Sequence, residues 1–262
     1  MHSACHHVLT VLRSFEEGPA ELRLAEVARK TQLDDGDAGQ ALATLCQDGF
    51  LDRTAHGTYR LGQAVMVLGR RTAQATGLDG AETILQQLTA RTGESSSLAV
   101  RRGAHAIVLL LAPSPQRLRV EHGVGSHLPL HASAMGKALS AFADQEPEIA
   151  TTDLGRLDAF TSRTITSQSE FVAELRVARA QGWAVNHEER YEGVVGVAAP
   201  VIVAGRGAVA AIGVQGPAAR LKPDERALTR LVRRTAQHVA ECLAFGYPLP
   251  GYDERVEPAS HS

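Results

Sequence analysis

Ser133, Ala134, Met135 and Gly136 stand within Leu128-Pro129-Leu130-His131-Ala132-Ser133-Ala134-Met135-Gly136-Lys137-Ala138-Leu139. The run reads as an extended segment that turns at Pro129 and enters a helix near His131 or Ala132. Amide groups in the first turn of a helix lack intrahelical partners, so that end attracts an anion. Small side chains let a ligand approach those amides. Lys137 adds a positive charge one turn further in. The alternative is a helix start whose Ala and Gly residues serve only close packing on a sheet.

A second group is His122, His127, His131 and His187, with Glu188 and Glu189. Gathered in one cavity, these residues could hold a divalent metal or exchange protons. Their spacing is irregular, with no His-x-x-x-His pair on one helix, and the alternative is surface and loop histidines. Cys5 with His2, His6 and His7 has metal-ligand types, against the alternative of a frayed terminus. Ser133 beside His131 makes no nucleophilic triad without an acid. The expectation is no catalytic residue, no metal and no cofactor.

These residues need elements to position them. Val8, Leu12 and Phe15 have helical spacing over 8–15, and Gly18-Pro19 stops them. Leu24, Val27 and Ala28 mark a second helix. A third starts near Asp34 or Asp35, where an aspartate can cap free amides, and runs through Ala38, Ala41, Leu42, Leu45 and Cys46 to Gly49. Phe50–Leu61 reads as a hairpin turning at His56-Gly57. Three short helices and a hairpin make a winged helix-turn-helix, whose third helix fits the major groove while the wing touches phosphate. Residues 64–75 read as a linker helix, of the kind that often carries a dimer contact, and Ile84, Leu85 and Leu88 as another helix ended by Gly93.

The pattern then turns to strands. Ser97–Arg101 and Ala106–Leu111 flank a turn at Arg102-Gly103, and Leu118-Arg119-Val120 reads as a third strand. After the helix to Phe142, residues 144–164 read as irregular, with room for one short helix. Ser167 with Glu170 forms a capping box ahead of a helix ended at Gly182. Trp183–Asn186 and Val194–Val203 read as strands around a loop at His187–Gly193. A turn at Gly205-Arg206-Gly207 leads to a strand over Ala208–Gln215. Pro223-Asp224-Glu225 opens a last amphipathic helix through Leu243, and residues past Pro248 read as a frayed tail.

The 262 residues give room for one large or two modest domains, and the net charge of −2 argues for no global attraction to nucleic acid or membrane. Three cysteines, far apart and odd in number, fit a reducing compartment rather than a disulfide framework. With no signal-like or long apolar stretch, the expectation is a soluble cytoplasmic protein without membrane contact.

The layout resembles the IclR family of bacterial transcription regulators. The run Leu128–Ala138 is similar to that family's signature. Gly182-Trp183-Ala184-Val185-Asn186 through Glu189, Gly193 and Ala198-Ala199-Pro200-Val201 is a second match. Gly216-Pro217 with Arg220-Leu221, and Thr164-Ile165-Thr166, also fit. The resemblance spans roughly residues 5–245. It implies an α+β chain: a winged helix-turn-helix over 1–62, a linker helix over 63–78, and a GAF-like antiparallel sheet flanked by helices over 79–247, with a tail at 248–262. It implies homodimers or homotetramers, operator DNA read as half-sites, and a small effector that is an organic acid or an aromatic or carbonyl metabolite. Effector binding would bias the spacing of two wings. Carried over by resemblance, the cavity residues are Ser133, Ala134, Met135 and Gly136 at the helix start and Asn186, Gly196, Gly213 and Gln215 on the strands opposite.

Departures from the family pattern matter. Family members often carry Asp at Asn186, Cys or a similar residue at Gly196, and Ser at Gly213 and Gln215. The two glycines are expected to enlarge the cavity and remove polar contacts, so the expected effector is bulkier and less polar than a two- or three-carbon keto acid. At the third helix, family members usually show Ser, Thr and Arg, whereas this chain has Asp34-Asp35-Gly36-Asp37-Ala38-Gly39-Gln40. Acids repel phosphate and glycines weaken the helix. Over residues 1–75, eight Arg and Lys face nine Asp and Glu. The residues assigned to DNA are Gly36, Asp37 and Gln40 on the helix, with Gln40 able to read adenine, and Arg53, His56 and Arg60 on the wing. The leading reading is an effector-responsive regulator. The alternative is an IclR-like fold that has lost operator reading and serves as a small-molecule binding protein, or as an enzyme built on His131, His187 and Glu189.

Overall fold

A computed structural model describes residues 4–120, 122–203, 207–221 and 225–244. The chain divides into two units, residues 1–74 and 75–262.

In the first unit, apolar residues three and four apart make three helices: α1 (Ala4–Arg13), α2 (Leu24–Thr31) and α3 (Asp35–Gln47). They bury Val11, Phe15, Leu22, Val27, Ala41, Leu42, Leu45 and Leu51 in one cluster. The Arg23 amide donates to Glu26 at 2.7 Å at the head of α2. Asp34 caps α3 by accepting from the Asp37 amide at 2.8 Å, so that aspartate is held by the helix itself. Strands β1 (Leu51–Arg53) and β2 (Tyr59–Leu61) form the wing, and Leu22 bridges to Tyr59. Helix α4 (Gln63–Thr76) leaves Met66, Val67 and Leu68 exposed.

The second unit is built on a six-stranded antiparallel sheet in the order β5-β4-β3-β8-β7-β6. Its strands are β3 (Ser95–Arg102), β4 (His105–Ala112), β5 (His127–Pro129), β6 (Ala184–His187), β7 (Val194–Ile202) and β8 (Ala208–Pro217). Both faces of the sheet are covered. On one, α5 (Leu78–Thr92) packs on β3 and β4, and α10 (Glu225–Ala244) packs on β7 through Leu228, Val232, Ala236, Val239 and Leu243. On the other, α6 (Ala134–Ala141) lies on β6, β7 and β8 and is itself covered by α8 (Gln168–Gln181) through Phe171, Leu175 and Ala178. Because both faces are covered, Val195 and Val197–Ala199 of β7 are all buried, and that strand reads as an unbroken apolar run. Between α6 and α8 lies a short helix, α7 (Pro147–Ala150), and α9 (Ala218–Leu221) follows β8.

Three local expectations change. Leu118-Arg119-Val120 is not a strand: Leu118 is 70% exposed and its carbonyl accepts from Arg220 at 2.8 Å. The strand on the β4 edge is His127–Pro129, where Pro129 sits at the sheet edge, the position that tolerates a missing amide. Helix α6 begins at Ala134, not at His131 or Ala132, because the Ser133 hydroxyl caps it by accepting from the Gly136 amide at 3.0 Å. Gly205, Arg206, Pro223, Asp224 and the tail 248–262 lie outside the described residues.

Candidate functional site

The sheet register brings the site together. Asn186 of β6 pairs with Gly196 of β7, and Gly196 with Gln215 of β8. Two residues along β8 on the same face, Gly213 pairs with Ser97 of β3. The head of α6 stands over this face. Between them lies a recess of about 430 Å³, counting the space at its mouth. Of the eight residues expected around a cavity, Ser133, Ala134, Met135, Asn186, Gly196, Gly213 and Gln215 line it. Gly136 does not. A Cβ there would sit 2.5 Å from the Leu130 Cα and 2.6 Å from its carbonyl oxygen, so Gly136 serves the approach of the incoming strand to the helix.

The other lining residues carry most of the chemistry. His122, Arg190 and Tyr191 line the recess, beside Leu128, Val194, Val197 and Val214. Arg190 and Tyr191 come from the β6–β7 loop, where Arg190 is the one Arg or Lys between His187 and Gly193. That was the signal available in the sequence. Loop residues have no periodicity that says which way they point.

Several groups are already committed. The Ser133 hydroxyl donates to the Pro129 carbonyl at 2.8 Å while it caps α6. Asn186 donates through Nδ2 to the Ala132 carbonyl and accepts at Oδ1 from the Glu189 amide, both at 2.8 Å. The neutral amide thus pins the head of α6 to the β6–β7 loop. The Ser97 hydroxyl meets the Met135 sulfur at 3.6 Å.

The two glycines behave differently from each other, which corrects the expectation that both enlarge the cavity. A Cβ on Gly213 would lie 3.0 Å from Met135 Cγ and 3.2 Å from the Val197 carbonyl oxygen, so the missing side chain admits Met135. A Cβ on Gly196 would meet only Ala134, Val214 and Gln215 atoms at 3.6 Å or more. Only Gly196 leaves space to the recess.

Lys137 also departs from expectation. Its side chain does not charge the recess. It is buried, with Nζ donating to Glu189 Oε1 at 2.7 Å, Glu174 Oε1 at 3.0 Å and the Val185 carbonyl at 3.0 Å.

The side chains of His131, His187 and Glu189 are each held by other partners, and none of the three lines the recess. His131 is buried, bonds the Asp158 carbonyl through Nε2 at 2.9 Å and stacks on Phe160. His187 pairs with Glu225 at 2.8 Å, and Glu189 with Lys137. His127 meets Arg102 at 2.9 Å. No cluster of metal-ligating side chains forms among the described residues. His122 sits beside Tyr191, and burial first, then the Arg190 charge, push its pKa below the ordinary imidazole value.

On the first unit, the exposed face of α3 presents Gly36 and Gln40, followed by Ala43, Thr44 and Gln47. Asp37 is held 3.4 Å from His7. Arg53, His56 and Arg60 are exposed on the wing. The Arg53 guanidinium lies over the Tyr59 ring, and Arg60 is 3.8 Å from Asp52.

Two family models match the chain: the IclR helix-turn-helix domain over residues 6–55, and the C-terminal region of the bacterial transcriptional regulator IclR over residues 78–241. The glycerol operon regulatory protein of Streptomyces griseus is 36% identical over 239 residues, covering 89% of this chain and 91% of its own. The protein of the same name in Streptomyces coelicolor is 32% identical over 248 residues, covering 90% and 94%. The crystal structure of a transcriptional regulator from Rhodococcus sp. RHA1 matches with a TM-score of 0.76 at 29% identity, covering 92% of this chain and 98% of that one.

Proposed function

The chain belongs to the IclR family of bacterial transcriptional regulators, and from that premise we propose that a small-molecule effector occupies the recess between α6 and the sheet and thereby changes the grip of the winged helix-turn-helix on operator DNA. The observation that carries this reading is the recess itself. It is walled by a helix start with unspent amides, by Asn186, Gly196, Gly213 and Gln215 on the sheet, and by Arg190 and His122 from two loops. Few precisely placed polar groups on an apolar wall are what a small-molecule site requires.

Under this reading residues 1–62 hold DNA, 63–78 link, and 79–247 bind the effector. Gln40 contacts a base edge while Arg53, His56 and Arg60 hold phosphates. Two copies present two wings to two half-sites. Met66, Val67 and Leu68 on α4 supply an apolar contact between copies in a homodimer or homotetramer. No described helix is long and apolar enough to cross a membrane, and the cytoplasm, where operator DNA lies, is the site of action we assign. No reaction is assigned to the chain.

Native mass spectrometry of the intact protein tests the reading. The expected result is a retained small molecule in the wild type that is lost when Gly196→Val fills the recess. Retention of the same molecule by that variant would show that the effector sits elsewhere.

A further inference from the structure

The outer face of α10 carries four cations and no acid. Arg226, Arg230, Arg233 and Arg234 are all exposed, while Leu228, Val232, Ala236, Val239 and Leu243 are buried on the sheet. At 3.6 residues per turn the four arginines fall within about 100° of arc, on the side of the helix away from the sheet. Arg226, Arg230 and Arg234 follow one another at four-residue spacing over a rise of about 12 Å. Over residues 226–240 the sequence holds four Arg, one His and no Asp or Glu. The acid that precedes the row, Glu225, is taken by His187 at 2.8 Å. Among the described residues no carboxylate pairs with any of the four arginines. Arg233 leans on the end of α8, where a Cβ on Gly182 would meet its guanidinium at 3.2 Å.

A face that only meets water does not need this arrangement, because like charges four apart on a helix repel each other. Helix α8 shows the ordinary solution in the same chain. There Arg176 pairs with Glu148, and Arg179 with Glu146 at 2.8 Å. Nor does the row reflect a general surplus of cations, since the chain has a net charge of −2. Two such rows facing each other across a two-fold axis would repel, so α10 of a second copy is the wrong partner.

We propose that this face of α10 is a second contact with duplex DNA, made to phosphates and independent of sequence. The partner follows from the charge. Duplex DNA carries one negative charge per about 1.7 Å of axis, so the rise from Arg226 to Arg234 spans about seven phosphates. Guanidinium forks match phosphate oxygens in pairs. The helix-turn-helix is poor in the same charge: residues 1–75 hold eight Arg and Lys against nine Asp and Glu, and α3 opens on Asp34, Asp35 and Asp37. Helix α10 supplies cations from the second unit, on the side of the sheet away from the recess.

The test uses the full-length protein and a labelled duplex of scrambled sequence, so that operator reading plays no part. Fluorescence anisotropy over a salt series is run on wild type and on a variant combining Arg226→Gln, Arg230→Gln and Arg234→Gln. Arg233 is kept because it packs at Gly182. A second variant has Lys at the same three positions, and a control combines Arg176→Gln with Arg179→Gln. Circular dichroism shows that each is folded, and light scattering gives its assembly. The glutamine variant is expected to bind more weakly at low salt and to lose about 3 or more from the slope of log affinity against log salt. The lysine variant and the control are expected to keep the wild-type slope. A glutamine variant with the wild-type slope, a control that loses as much, or no binding of the scrambled duplex by wild type at low salt overturns the proposal. If the slope holds while the assembly changes, the face belongs to a contact between copies and the proposal is wrong.

Discussion

Lys137 Nζ lies 2.7 Å from Glu189 Oε1, with the two side chains only 1% and 8% exposed. The same ammonium reaches Glu174 and the Val185 carbonyl, so α6, α8 and the β6–β7 hairpin meet on one charge. Glu189 follows Asn186 by three residues and immediately precedes Arg190. The pair therefore fixes both the head of α6 and the loop that closes the recess.

Removing the cation leaves the buried Glu189 carboxylate without a counter-charge, with only the His187 amide at 3.2 Å on Oε1 and with Oε2 unpartnered. Lys137→Met is expected to cost about 3–5 kcal/mol, a fall in Tm of roughly 10 °C. The double variant Lys137→Met with Glu189→Leu removes both charges and is expected to recover much of the loss. Thermal unfolding followed by circular dichroism decides it. A single variant as stable as wild type would show that the pair contributes nothing.

The two cavity glycines separate packing from ligand space. Gly196→Val is expected to fold, to keep operator binding, and to lose the effector response, since its side chain enters the recess. Gly213→Val pushes against Met135 Cγ and the Val197 carbonyl. Overpacking of that kind costs about 1–3 kcal/mol, visible as a lower urea midpoint. Equal stability of the two variants would contradict this division.

His122 has a sign that can be checked. Its folded pKa lies below the ordinary value of 6.5, chiefly from burial and then from Arg190. The unfolded chain therefore binds the proton more readily than the folded one. The stability this site supplies is fully present above pH 6.5 and is lost as the pH falls from there through the lower folded value. Arg190→Gln removes the repelling charge and is expected to raise the His122 pKa in an NMR titration of its ring protons. An unchanged or lower value would place Arg190 away from the ring.

If the first unit holds DNA as proposed, the acidic start of α3 leaves the phosphate contacts of that unit to the exposed arginines of the wing. Arg53→Ala and Arg60→Ala are each expected to weaken binding to all DNA alike and to lower the salt slope by about 1. Gln40→Ala is expected to relax preference at one base pair by about 1–3 kcal/mol. Fluorescence anisotropy over a salt series distinguishes the two patterns, and a sequence-selective effect of Arg53→Ala would count against a phosphate role.

Much of this architecture was legible in the residues. Helical spacing marks α10 through Leu228, Val232, Val239 and Leu243, the Ser167 capping signal marks α8, and the apolar runs of β7 and β8 announce a sheet covered on both faces. Seven of the eight residues carried over by resemblance line one recess because they lie on paired strands and a capped helix, where side-chain direction follows from period. Legibility ends where direction depends on tertiary partners. Lys137 could have faced the recess or the core, and only the carboxylates of Glu174 and Glu189 decide for the core. Arg190, His122 and Tyr191 sit in loops without period. Leu118–Val120 has strand-like residues, yet its backbone answers to Arg220 rather than to a neighbouring strand.

As a regulator of this family, the chain is expected to read an operator despite Asp34, Asp35 and Asp37 at the start of α3. The most direct measurement is fluorescence anisotropy of the intact protein on the DNA upstream of its own gene against a scrambled duplex of the same composition, over a salt series. The expected result is a preference of about a thousandfold or more for the native sequence that survives added salt. Equal affinity for the two duplexes at every salt concentration would contradict it.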